Sequence, residues 1–402
     1  MEAHERYDQT GAVQAQVLAL LNDYGEGDFT TTIAQRSPLG PRTVRIGAGS
    51  GRERPSQVAC EDLAAWLASQ PAVDAVSARP PHVYLRVSTD ALRAWVADGF
   101  SVIEGTEGAN QLAVVRFAEP DGQRPRTLDE FREAAMGRAV VALLGSRGFD
   151  LVIERVVAGE EPEPTSETEF AATRVVVGGA FPHDAEDLLA PVGGIDVRHG
   201  ALRARHGGSV SAEDLLGDIS GERLTGRFTR EADTEASKAY AEALLTFALL
   251  RTGRARRVQL DEDKLKREAA DFNAIREARA LPRTGVVDDA GEDAVRELAV
   301  ELDLLPIIIG RAAQALEPSF LTRFARSLAE RTRAARAYMP ATDPLWPAVD
   351  EAIDLALSMA GIHVPPEVWN AASRAPLGPE QPHPWVDLGP TGGGWAHRAS
   401  LN

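Results

Sequence analysis

The sequence predicts an α+β protein of several domains, with an N-terminal α+β unit, a small α/β core and a C-terminal all-α helical bundle. Three observations point there. A length of 402 residues exceeds the roughly 100–200 of a single domain. Strand-like runs alternate with helical ones through the first half of the chain. From Thr234 to Trp369 the apolar spacing is helical almost throughout.

The first unit covers residues 1–100. Residues 12–21 and 60–68 have the spacing of short amphipathic helices, and residues 83–87 alternate like a half-buried strand. Ser88, Thr89 and Asp90 then offer caps for a helix through Val96. In residues 101–232, the runs 112–117, 150–157 and 174–177 read as strands and 127–146 as a helix. Thr127, with Glu130 three residues on, has capping-box spacing. Strand, helix, strand in this order suggests a small parallel sheet. The acidic, proline-containing run 159–169 predicts a solvated loop. Residues 233–369 predict helices over 236–250, 263–280, 293–316, 319–338 and 346–360, joined by short loops as in an antiparallel bundle. Residues 370–402 are rich in Pro, Gly and His, have no periodicity, and predict a disordered tail.

Composition narrows the function classes. A net charge of -17 argues against broad, non-specific binding of nucleic acid, although a local basic face remains compatible with an acidic body. No run approaches the roughly 18–20 apolar residues of a membrane helix, so no membrane partner is expected. The start of the chain is polar, without the apolar stretch of a signal peptide. One cysteine, Cys60, makes no internal disulfide, and a reducing cytoplasm is the simplest home.

Three places in the chain resemble one family. The run 27–34 (GDFTTTIA), with Pro38-Leu39-Gly40 after it, is similar to the GDYATN-type segment of the N-terminal additional domain of arginyl-tRNA synthetases. Residues 79–88 (RPPHVYLRVS) resemble that domain's closing strand. Residues 241–250 and 259–264 resemble the "ADALR…FLL…FDLDLA" passage that opens the family's DALR anticodon-binding bundle. Leu305-Pro306, Ala312-Ala313, Leu316-Glu317-Pro318 and residues 359–362 (MAGI) are similar to the bundle's "LPEVV…AA…LEP…LLGI" skeleton. The resemblance implies translation-related tRNA binding, and makes the middle unit a reduced, Rossmann-like remnant of the catalytic core.

The departures fall on the chemistry. Phe131-Arg132, residues 136–139 (MGRA) and residues 148–150 (GFD) resemble the helix after the family's first signature, HxGHLR. In that register the signature histidines fall on Thr127 and Glu130 and its glycine on Asp129, which sets acids where ATP phosphates bind. Where the KMSK-like loop belongs stand Arg203, Arg205 and His206, with both lysines gone. Little chain separates the two signatures, too little for the rest of a nucleotide-binding fold. ATP binding follows from the resemblance alone, and no cofactor is expected. In the bundle, the family's FNxFY-like run becomes residues 332–336 (TRAAR), and its QYAHAR run becomes 274–279 (AIREAR), which keeps Arg279.

Each candidate has a plain counterpart. Arg203, Arg205 and His206 read either as a remnant contact to phosphate or a tRNA end, or as a basic surface loop. Thr127 and Glu130 read as a helix cap. Arg279, Arg323, Arg326, Arg333 and Arg336, with Arg331 beside them, read either as contacts to an RNA backbone or as a solvated face paired with acids elsewhere in the bundle. His183, His199 and His206 lack the i, i+4 spacing of a zinc site, so no metal is expected. Gly178-Gly179 reads as an ordinary turn after a strand, and no G-x-S-x-G elbow is present. The leading expectation is a non-catalytic tRNA-binding protein, with arginine tRNA as the expected partner and a delivery, sensing or regulatory role. The alternatives are a residual arginine-tRNA ligase or related enzyme, and a scaffold that binds another protein and no longer RNA.

Overall fold

A computed structural model of the chain describes residues 11–25, 29–34, 37–39, 43–48, 55–97, 111–118, 128–156, 173–177, 195–197, 202–204, 216, 234–253, 258–260, 262–280, 283, 285–286, 291–366 and 368–369. The expected tail, 370–402, lies outside them. The architecture is mixed α+β and rich in helix. None of the described helices is long and apolar enough to cross a membrane.

The N-terminal part is an antiparallel sheet in the order β1-β2-β4-β3, from β1 (Phe29–Ala34), β2 (Thr43–Ala48), β3 (Val73–Arg79) and β4 (His82–Val87). Its strands alternate, so Val44, Ile46, Val83, Leu85 and Val87 point to one buried face. On that face pack α1 (Ala12–Tyr24), through Val13, Val17 and Leu21, and α2 (Gln57–Ala68), through Cys60, Leu63 and Leu67. Ser88 caps α3 (Thr89–Ala97), its hydroxyl accepting from the Ala91 amide at 3.2 Å.

The expected parallel sheet is present and larger than the sequence indicates. β5 (Leu112–Ala118), β6 (Asp150–Val156), β7 (Thr173–Val177) and β8 (Ile195–Val197) run parallel in the order β6-β5-β7-β8. The helix between the first two, α4 (Leu128–Gly145), is buried around most of its circumference, which explains its weak amphipathic pattern. Gly137 lets it settle on the Phe117 ring of β5, since any Cβ there would overlap that ring. On its other side, a Cβ at Gly361 would come within 2.7 Å of the Ala139 amide nitrogen. A short parallel pair, β9 (Leu202–Ala204) with β10 (Val258–Leu260), lies apart from this sheet.

The helical part contains α5 (Thr234–Arg251), α6 (Glu262–Ala280), α7 (Glu292–Asp303), α8 (Leu305–Ala315), α9 (Ser319–Ala335) and α10 (Leu345–Met359). Helix α9 lies at its centre, packed against the other five. Two boundaries correct the sequence reading. The single helix expected over 293–316 is two, broken at Leu304, because Pro306 has no amide to continue the ladder and its ring crowds the turn before it. The helix expected over 319–338 ends at Ala335 and tightens into a 3₁₀ turn, Arg336–Tyr338.

Helix α7 joins the N-terminal sheet to the bundle. The Asp303 carboxylate accepts from the Val13 amide at 2.8 Å and so caps α1 from across the chain. Arg296 is buried and donates to the Val87 carbonyl, and its Nη2 lies 2.6 Å from Asp74 and 2.8 Å from Glu292. Thr89 donates to the same Glu292 carboxylate at 2.8 Å.

Candidate nucleic-acid interface

The buried face of the N-terminal sheet leaves a second face accessible. β4 reads His-Val-Tyr-Leu-Arg-Val, so His82, Tyr84 and Arg86 all point away from Val83, Leu85 and Val87. Register then decides what stands beside them. Thr32 lies opposite Arg45, Arg45 opposite Tyr84, and Tyr84 opposite Ser77, which makes one row across all four strands. A neighbouring row runs through Thr30, Gly47, His82 and Arg79. Thr30, Thr32, Arg45 and Arg79 are exposed, and His82, Tyr84 and Arg86 are half-buried.

Among the described residues, the side chains that the four strands present on this face carry mostly positive charge. The four strands contain a single acid, Asp74, and it is held by Arg296. Arg45 donates through Nε to the Thr32 hydroxyl at 3.1 Å, and neither Arg45 nor Arg79 has an ion-pair partner among the described residues. Arg86 pairs with the exposed Asp293 of α7 at 3.0 Å. The His82 and Tyr84 rings meet edge to face, with centroids 6.4 Å apart. Beside them a cavity of about 470 Å³ opens between Thr30, Thr32, Arg45, Pro55, Pro81 and His82. Gly47 forms its floor: a Cβ there would stand 3.3 Å from the His82 ring. Guanidinium groups for phosphate, rings for stacking and hydroxyls for hydrogen bonds are what an unpaired stretch of RNA requires.

The bundle arginines singled out from sequence are placed differently. Arg279 pairs with Asp354 of α10 and stacks over the Trp369 ring, 4.6 Å from its centroid. Arg326 lies 3.1 Å from Asp271 and 3.0 Å from Glu330, and Arg333 2.7 Å from Glu277. Arg331 pairs with Glu297. Arg323 also has a partner, whereas Arg336, in the 3₁₀ turn, has no ion-pair partner among the described residues. Apart from Glu330 on α9 itself, the acids come from α6, α7 and α10, so the arginine row serves largely to tie α9 and α6 to their neighbours.

Of the positions aligned with catalytic signatures, Asp129 and Glu130 occupy the first turn of α4. There they complement the positive end of the helix and repel a phosphate. One turn on, Arg132 is fully buried; desolvation lowers its pKa to about 10, against the pull of Asp129 and Glu317. It stays charged at neutral pH, and Glu317, in the link between α8 and α9, is one of the acids that favour its charge. Arg203 forms part of β9, opposite Gln259, while Thr127, Arg205 and His206 lie outside the described residues. Among the described residues no group of three His, Cys, Asp or Glu side chains is placed to hold a metal ion.

The sheet face was not singled out from the sequence, although its signal was there. The alternation that marks β4 as a half-buried strand also defines its outward set. That Arg45 and Arg79 flank that set depends on register between distant strands.

No protein-family model matches the chain, and no curated protein matches its sequence. Solved structures do match its fold. The arginyl-tRNA synthetase of Thermus thermophilus superposes with a TM-score of 0.57 at 12% identity, covering 88% of this chain and 99% of that one. The arginyl-tRNA synthetase of Plasmodium falciparum gives a TM-score of 0.53 at 9% identity, over 88% and 98% of the two chains. The fold is arginyl-tRNA synthetase-like.

Proposed function

We propose, from an arginyl-tRNA synthetase-like fold whose α4 begins in acids, that this chain is a non-catalytic tRNA-binding protein. Arginine tRNA is the expected class, held for delivery, sensing or regulation. One observation carries the reading: the open face of the N-terminal sheet gathers Arg45, Arg79, His82 and Tyr84 around a cavity lined by Gly47, with the single acid of its four strands, Asp74, paired with Arg296. Arginines there meet phosphate, and the rings and cavity receive an unstacked base. The first turn of α4 does not fit a nucleoside triphosphate, because Asp129 and Glu130 stand where an anion would sit.

A gel-shift titration with total tRNA at low ionic strength tests this. Binding that weakens steeply with added salt is expected, and its absence at every salt concentration refutes the proposal. Gly47→Val, which fills the cavity floor, should weaken that binding about tenfold, the worth of roughly one stacked base. Arginine-dependent ATP–pyrophosphate exchange should be absent; measurable exchange would restore the ligase reading.

A second reading has its own support. The bundle's arginines are mostly spent on acids of the same bundle and the chain carries a net charge of -17, which favours a scaffold for another protein. A complex that survives nuclease treatment of a lysate, in a chain that fails the gel shift, would establish it.

A further inference from the structure

We propose that docking of the N-terminal sheet and its helices onto the bundle is proton-linked, with the Asp303 carboxyl as the linked group. This goes beyond the RNA-binding reading and stands apart from it. Asp303 ends α7 and is 1% exposed. One of its oxygens accepts from the Val13 amide at 2.8 Å, in the first turn of α1, while the other is buried with no hydrogen-bond partner among the described residues. A carboxylate in that position has a stranded lone-pair set, whereas a carboxylic acid keeps the Val13 bond and loses the buried charge. The contact is tight: a Cβ at Gly11 would overlap the Asp303 carboxyl on the side of the oxygen that Val13 holds.

The surrounding charges give no relief. Desolvation raises the Asp303 pKa to about 6, opposed by the Val13 amide alone. Among the described residues, none of the ionisable groups on elements packed against α7 contributes, including Asp23 of α1, Arg93 of α3, Arg311 of α8, Arg331 of α9 and Asp350 of α10. The sign follows from linkage. A carboxyl raised from the ordinary aspartate value to about 6 when docked makes docking strongest below pH ~4, weaker as pH rises to about 6, and constant above that. The span corresponds to roughly 100-fold in the docking equilibrium.

Hydrogen exchange of the α1 amides, read by mass spectrometry from pH 5 to 7.5 and corrected for intrinsic rates, measures the opening constant in the full chain. In the wild type it should rise severalfold across that range. In Asp303→Asn, which keeps the acceptor and cannot ionise, it should stay flat. An identical pH dependence in both proteins overturns the proposal. Should the variant fail to fold, the wild-type Asp303 carboxyl can be titrated by carbon-detected NMR. A midpoint near 6 supports the proposal, and a midpoint at or below 4 overturns it.

Discussion

Reversing Arg45 and Arg79 together, as Arg45→Glu with Arg79→Glu, should weaken tRNA binding by roughly 100-fold at low salt and flatten its salt dependence by about two phosphate contacts. Both side chains are exposed and neither is held by an acid among the described residues, so each is available to a phosphate without breaking an ion pair. Their removal should leave the fold intact, because both lie on the face turned away from α1 and α2. The bundle is the control. Arg326→Gln and Arg333→Gln remove charges already neutralised by Asp271, Glu330 and Glu277, and should change tRNA affinity by less than about threefold. Gel shifts over a salt series read both arms. If the bundle variants abolish binding while the sheet variants do not, the interface has been placed on the wrong face.

Replacing Gly361 with valine should cost about 3 kcal/mol of stability, measured by urea unfolding. Two penalties combine. Gly361 has φ of 72°, a left-handed conformation that a β-branched residue adopts only under strain, and its Cβ would stand 2.7 Å from the Ala139 backbone nitrogen. That neighbour is helix backbone and cannot rotate aside. The loss should fall on the seam between α4 and the end of α10. A variant as stable as the wild type would show that the parallel sheet and the bundle are not joined there.

What could be read ahead of the structure follows from range. β4, β5, α4 and β6 have local periodicity and bounding turns, and their positions agree with expectation to within a residue or two. The break at Leu304 was hidden because apolar spacing continues across it, although Pro306 was in view. The outcome for the arginine row was out of reach by local pattern. Asp354 is 75 residues from Arg279 and Glu277 is 56 from Arg333, whereas i, i+4 reasoning sees only Glu330 beside Arg326. The basic sheet face was half legible: β4 supplied its outward residues, but only strand pairing brings Arg45 beside Tyr84 and Arg79 beside His82.

The bond from Val13 to Asp303 spans 290 positions of the chain. A ribosome releases the N-terminus first, so the sheet and its helices emerge long before the group that caps α1 has been translated. Until α7 leaves the exit tunnel, the first turn of α1 has water in place of its partner, and Arg296 is not yet present to hold the Val87 carbonyl and Asp74. The sheet and its helices, made before α7, therefore reach their final stability only after it, and a nascent chain stalled before α7 carries an N-terminal unit still open to proteolysis and chaperones.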